Sequence, residues 1–321
     1  LFDTDGKRIG GARMLAVVTL YPGIQGRNYR LPTEHDYEAV WKAQKWLKAI
    51  LDEWEKGGKK GLCPVPDEPL PLMSGTFNVP LYGMSTWSKM FSSRQLLALV
   101  NLCQSLKKRS ICNMTYPMAA VISRCADYWS SGVVWAQEGE FVAHTFGRQA
   151  LPMIFDYAEA VPWADASGNY DGAIEWVAGV IERQSVIITS GQVHQGDARS
   201  RMLPDASASV WFTDPPYYFA VPYADLSDFF FVWLKRALTS DPLLRDPTDS
   251  KNPLTPKKLE LCEMAHWDPV RYAEKDKGYF EDGMHEVFVS ARHTLKGDGI
   301  GSVVFAHKTT EGWEALLSGM I

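Results

Sequence analysis

The sequence predicts a mixed α/β protein. A mainly α-helical region, residues 1–185, precedes a doubly wound parallel sheet, residues 186–321. Three observations carry this expectation. Before residue 185, apolar residues recur at spacings of three and four, the period of helices with one buried face. After it, short apolar runs alternate with amphipathic segments, the order of strand–helix–strand units. Within that second part, residues 208–212 (Ala-Ser-Val-Trp-Phe) form a continuous apolar run, which suits a central parallel strand covered on both faces.

Residues 12–20 read as a strand ended by Pro22 and Gly23. A helix is expected over 35–55. Thr33 and Asp36 form a variant capping box at its start, and Tyr37, Val40, Trp41, Leu47, Ile50, Leu51 and Trp54 share one face. A loop rich in proline and glycine covers 57–80. The next helix spans 93–106, with the stripe Leu96, Leu97, Val100, Cys103 and Leu106 and an ordinary cap at residues 91–95. Residues 114–129 and 145–160 read as largely buried helices, and Asn169 caps another that runs to Arg183. Strands are expected at 186–188, 192–194 and 208–212. Helices follow at 225–238, with Asp225 as N-cap and Asp228 three residues on, and at 279–295. Gly297-Asp298-Gly299 then turns the chain into a strand over 300–305, and a last helix starts near Glu311. The proline-rich segment 241–276 reads as a simple surface insertion, with a mobile lid or a part of target recognition as the alternative.

Composition narrows the function classes. The chain has 321 residues, 46% hydrophobic and 22% charged, with twelve tryptophans, so a substantial core is expected and disorder is not. The net charge of −5 counts against a broad DNA-coating surface but leaves room for a local basic groove. Five cysteines without a CxxC pair argue against a disulfide scaffold or a zinc site and for thiols in a reducing cytoplasm. There is no signal-peptide pattern and no apolar run long enough to span a bilayer. The chain opens on Leu1 and stops inside a predicted helix, which reads as a fragment cut at both ends.

The chemistry concentrates at Asp214-Pro215-Pro216-Tyr217, directly after the apolar run. The exocyclic amine of a nucleobase is a poor nucleophile, because its lone pair is delocalised into the ring. An acceptor side chain and a backbone carbonyl that hold its two N–H groups aim that lone pair outward, and they stabilise the positive charge growing on nitrogen. Asp214 and the Pro215 carbonyl suit those two tasks. Consecutive prolines fix φ and remove amide donors that would repel the amine. Tyr217 suits stacking on the ring, with Tyr218 and Tyr223 as further walls of the pocket. The bland alternative is a Pro-Pro turn leaving a strand. Strand ends also bring Asp197, His307 and Lys308 to the same rim, where ligands of such sheets bind. His307 reads equally as a substrate contact or as a structural side chain.

The Asp214-Pro215-Pro216-Tyr217 signature resembles that of the N6-adenine and N4-cytosine amino-methyltransferases. The wider segment 213–235 is similar to the Zn-ribbon-containing adenine-specific DNA methylases. So are residues 82–87, 145–152 and 305–317. The resemblance implies a Rossmann-like class I methyltransferase sheet, present here in part, with S-adenosyl-L-methionine as methyl donor. It also implies that Asp197, with Ala198 beside it, contacts the donor's adenine. DNA is the implied partner, alongside other proteins of a defence system, with no metal held by this chain. The family's glycine-rich donor loop and zinc ribbon are not found in the sequence. Related motifs serve RNA guanine and protein glutamine amines. A non-catalytic DNA-binding module of a defence complex is the rival of another class.

Overall fold

A computed structural model describes residues 4, 11–24, 26–109, 113–186, 189–239, 241 and 244–321. The chain divides into two compact units. One comprises residues 1–72, 76–188 and 229–244, and the other residues 73–75, 189–228 and 245–321.

The first unit opens on a short hairpin. β1 (Val17–Thr19) pairs antiparallel with β2 (Asn28–Arg30), Val17 opposite Arg30. α1 (Glu34–Lys56) starts as its capping residues dictate: the Asp36 carboxylate accepts the Thr33 backbone N–H at 2.7 Å. Ala43 and Leu47 are buried, whereas Trp41 on the expected apolar face stays half-exposed. α2 (Ser93–Arg109) begins with a reciprocal cap. The Ser92 N–H donates to Gln95 Oε1 at 2.7 Å, and the Gln95 N–H to Ser92 Oγ at 3.3 Å. α3 (Thr115–Tyr128) is followed by the two-residue strands β3 (Trp135–Ala136) and β4 (Phe141–Val142). α4 (Tyr170–Gln184) is capped by Asn169, whose Oδ1 accepts the Gly172 N–H at 2.9 Å.

The helix expected over 145–160 does not form. The Thr145 N–H goes to the Asp127 carbonyl and the Leu151 N–H to the Thr76 carbonyl, each at 2.8 Å, so these peptide groups are spent on distant backbone. Gly147 and Pro152 weaken the local preference enough for that. The core of this unit is aromatic. Phe91 stacks on Phe229 with centroids 5.6 Å apart and meets Trp233 edge-on at 5.2 Å, while Phe77 and Trp129 are also buried. The Arg236 guanidinium is buried and satisfied by the Glu68 carboxylate and the Cys63 and Val65 carbonyls. Cys63, Cys103 and Cys125 are buried free thiols, and burial pushes Cys103 and Cys125 up to about 12. Cys112 lies outside the described residues.

The second unit is built on one parallel strand pair, β5 (Ala208–Thr213) with β6 (Leu295–Val303). α5 (Tyr223–Ala237) follows β5; its residues 223–228 belong to this unit and 229–237 to the first. α6 (Lys277–Thr294) precedes β6, capped by Asp276 accepting the Tyr279 N–H at 3.0 Å, and α7 (Thr310–Met320) follows it. Tyr218, Phe280, Met284, Val287, Ala315 and Leu316 form the core, with Trp211 and Phe305 packed on it.

Several expectations are corrected here. The doubly wound sheet reduces, among the described residues, to two strands. Residues 192–194 lie outside any strand, and 187–188 of the expected strand at 186–188 lie outside the described residues. The run at 208–212 is a strand covered on one face only. Trp211 turns inward against Phe288, while Val210 and Phe212 are 64% and 66% exposed. An apolar run reports what a strand could bury; its neighbours decide which side is covered. Gly297-Asp298-Gly299 is a bulge inside β6 rather than a turn before it. Leu295 pairs with Ala208 and Ile300 with Val210, so β6 accommodates the extra residues between them. Nor is segment 241–276 a simple surface insertion: Leu261, Cys262, Met264, Tyr272 and Lys275 are buried. Among the described residues no helix is long and apolar enough to cross a membrane.

Candidate functional site

β5 ends where its chemistry requires. The Thr213 carbonyl accepts the Val304 N–H at 2.8 Å, the last bond tying the strand to its partner. Asp214 then leaves the ladder with its side chain exposed. Pro215 has no N–H with which to extend the pairing, so the strand must stop. Pro215 is buried and Pro216 half-buried. Two close turns follow: the Tyr218 N–H donates to the Pro216 carbonyl at 3.0 Å, and the Ala220 N–H to the Tyr217 carbonyl at 2.9 Å. Among the described residues no backbone N–H donates to the Pro215 carbonyl.

The three tyrosines separate. Tyr217 is half-buried, and its hydroxyl interacts with the Asp214 carboxylate, which raises the phenol above its ordinary pKa. Its ring meets Phe305 edge-on at 5.5 Å. Tyr223, at the first position of α5, reaches back to hydrogen-bond with the Tyr217 backbone, and burial raises its own phenol. Tyr218, expected as a pocket wall, is instead 2% exposed and sits in the core. Its ring packs against Phe280 at 5.1 Å, and its hydroxyl donates to Glu311 Oε1 at 3.2 Å. Successive residues of a tight turn cannot both face the rim, and the larger apolar contact takes Tyr218 inward.

Asp197 does not join this group. Its carboxylate is held by Arg199 through three contacts, the closest Arg199 Nη2 to Oδ2 at 2.7 Å, and it also accepts the Arg199 backbone N–H at 3.0 Å. That guanidinium keeps Asp197 below the usual carboxylate range. Ala198 is exposed beside it. The pair faces Glu286 on α6, with Arg199 Nε 3.8 Å from that carboxylate. Among the described residues no hydrogen bond or ring contact links Asp197 to Asp214 or Tyr217.

No family model, curated protein or solved structure matches the chain. The site therefore has to be read from its own residues.

His307 follows the end of β6 and lies among Phe219, Phe305 and Tyr218, 5.0 Å from the first. Nδ1 lies 3.2 Å from the Thr309 backbone nitrogen and 3.0 Å from the Thr309 hydroxyl. Nε2 is buried with no partner among the described residues. Lys308 is exposed.

Asp225 is not the N-cap of α5. The helix begins two residues earlier, and its Ala224 N–H is taken by Glu260 Oε1 at 2.8 Å. Asp225 is buried and accepts from the Tyr272 hydroxyl at 2.9 Å and from Arg271 Nη1 at 3.3 Å. Asp228, also buried, accepts from the Thr255 hydroxyl at 2.6 Å and Lys257 Nζ at 2.8 Å. Burial outweighs these partners and raises Asp228 above the usual range, and it lifts Glu260 to about 7. Lys275, almost wholly buried, donates to the Lys257 and Glu260 carbonyls. Sequence reasoning missed Phe305 as the neighbour of Tyr217, Glu311 as the acceptor for Tyr218 and Glu260 as the acceptor for the Ala224 N–H. Only the Thr309 cap ahead of Glu311 offered a local signal.

Proposed function

We propose that this chain holds the target amine of an S-adenosylmethionine-dependent DNA methyltransferase acting on adenine N6, within a Rossmann-like domain. The observation that supports it most is the state of Asp214: an exposed carboxylate at the carboxyl end of a parallel strand, beside the half-buried ring of Tyr217. A carboxylate offers about four acceptor positions, so the Tyr217 hydroxyl leaves capacity for an amine N–H. The Pro215 carbonyl is the second acceptor, fixed in direction by two proline rings. Tyr217 and Phe305 supply the aromatic surface against which a flat base rests. Together these groups orient the amine and stabilise charge on nitrogen. In duplex DNA the base must first leave the stack.

The donor fits less well. Asp197, which the resemblance assigns to the donor's adenine, is already engaged by Arg199, and Ala198 stands in the open. The reading therefore gives the described residues the amine side of the reaction and routes no step through the donor. The engaged Asp197 favours one rival, a DNA-binding module without transfer activity.

The test is mass spectrometry of nucleosides from cells expressing the protein. N6-methyladenine in DNA, lost on Asp214→Ala, is the expected result. Methylated guanine in RNA instead, or methylated glutamine in a peptide digest run in parallel, would move the substrate. No methylated product, with DNA binding retained, would replace the enzyme by the binding module.

A further inference from the structure

Tyr218 is the only non-glycine residue among those described that combines positive φ with a buried side chain. Its φ is +52°, in the left-handed region. Lys59 and Ala206 share that region but are exposed, and Glu140 is only half-buried. For a bulky residue this conformation is sterically unfavourable, and it persists only where the surroundings over-determine it. Here they do so from two directions. The ring packs against Phe219 and against Phe280 of α6, in one buried cluster with Ala315 and Leu316 of α7. The hydroxyl is tied to Glu311 in the first turn of α7. The strained backbone lies immediately after the motif. At this point the chain reverses, so Tyr217 is left beside Asp214 and Phe305 while Tyr218 goes inward.

We propose that Tyr218 is a positioning residue: its buried ring and its hydroxyl bond to Glu311 lock the left-handed turn that presents Asp214 and Tyr217 at the rim. The proposal rests on the reading of those two residues as the amine-holding pair, and it deepens that reading by naming what holds them. A relaxed backbone at residue 218 would rotate the peptide it shares with Tyr217 and carry that ring off Phe305. The device couples α7 to the motif, so movement of α7 alters the site without touching it.

The experiment is hydrogen exchange on the protein, followed at the Tyr218 and Ala220 amides, with methyl transfer measured in parallel. Tyr218→Phe keeps the ring and removes the hydroxyl; Glu311→Ala removes the acceptor; Glu311→Gln keeps an acceptor oxygen. The first two should raise exchange at both amides about tenfold, which corresponds to about 1.4 kcal/mol, while amides inside α7 such as Leu316 are unchanged. They should lower kcat by a similar factor with little effect on KM for DNA. Glu311→Gln should retain protection. Unchanged exchange in Tyr218→Phe and Glu311→Ala, or loss of protection in Glu311→Gln equal to that in Glu311→Ala, overturns the lock. Because exchange is read without turnover, a wild-type protein that transfers no methyl group while showing the expected exchange pattern removes the enzymatic reading and leaves the lock standing.

Discussion

Two sets of carboxylates lie close together in sequence, and they are treated in opposite ways. Asp214 is exposed and interacts with one neighbouring hydroxyl, that of Tyr217. Asp225 and Asp228, eleven and fourteen residues on, are buried and answered by Tyr272 and Arg271, and by Thr255 and Lys257. Burial closes Asp225 and Asp228 to a ligand, and their oxygens already accept from neighbouring donors. An exposed acid behind a rigid Pro-Pro corner has spare acceptor capacity and a fixed direction. On the proposed reading, the difference separates a group open to a substrate from groups that hold the protein together, although all three aspartates follow β5 in sequence.

Mutation should make the contrast quantitative. Asp214→Ala is expected to lower methyl transfer about 10²–10³-fold without moving the denaturation midpoint. Asp228→Ala should do the reverse, costing about 3–5 kcal/mol of stability because Lys257 is left beside an empty, desolvated site. Denaturant titration and a labelled-methyl assay on both variants read the two effects. If Asp214→Ala unfolds the protein, or Asp228→Ala leaves its stability intact, the division of labour is wrong.

Glu260 refines the buried side of the comparison. Its folded pKa of about 7 stands above the ordinary 4.5, so the folded state holds a proton there that the unfolded chain has released. Stability from this group is complete below about pH 4.5 and declines as pH rises toward 7, by a total of the order of 3 kcal/mol. Glu260→Gln should remove that slope when stability is measured from pH 4.5 to 8. An unaltered slope assigns the titration elsewhere.

The smallest effect belongs to Asp197. Its pair with Arg199 is partly exposed, so Asp197→Asn should change stability by less than about 1 kcal/mol. Calorimetry with S-adenosylmethionine on wild type and this variant tells whether the carboxylate does more than close its own turn. Equal heats confine it to the turn, and weaker binding by the variant restores the role that the resemblance implied.

Helices were the most legible part of this protein. The caps at Thr33, Ser92 and Asn169 and the spacing of Leu96, Val100 and Cys103 are written within a single turn or stripe, and the helices formed there. The helix at 145–160 failed because its peptide groups found partners at Asp127 and Thr76, far outside any local window. Strands were less legible. Residues 208–212, expected as a strand, lie within β5, but an apolar run cannot say how many strands will join it or which face they cover. In the candidate site, the order acid, proline, proline, tyrosine after a strand was readable, together with the rigidity that two prolines impose.

The amino-acid order alone therefore settled where β5 stops, why it stops, and which side chains stand next. Those outcomes depend on φ limits, missing donors and periodicity, all properties of a short stretch. Which tyrosine faces the rim, which acid caps α5 and which carboxylate keeps its lone pairs were settled by folding. Glu260 reaches Ala224 across thirty-six residues and Glu311 reaches Tyr218 across ninety-three. A charge or hydroxyl is satisfied by whatever the fold brings within about 3 Å, and no local pattern in the chain records that neighbour.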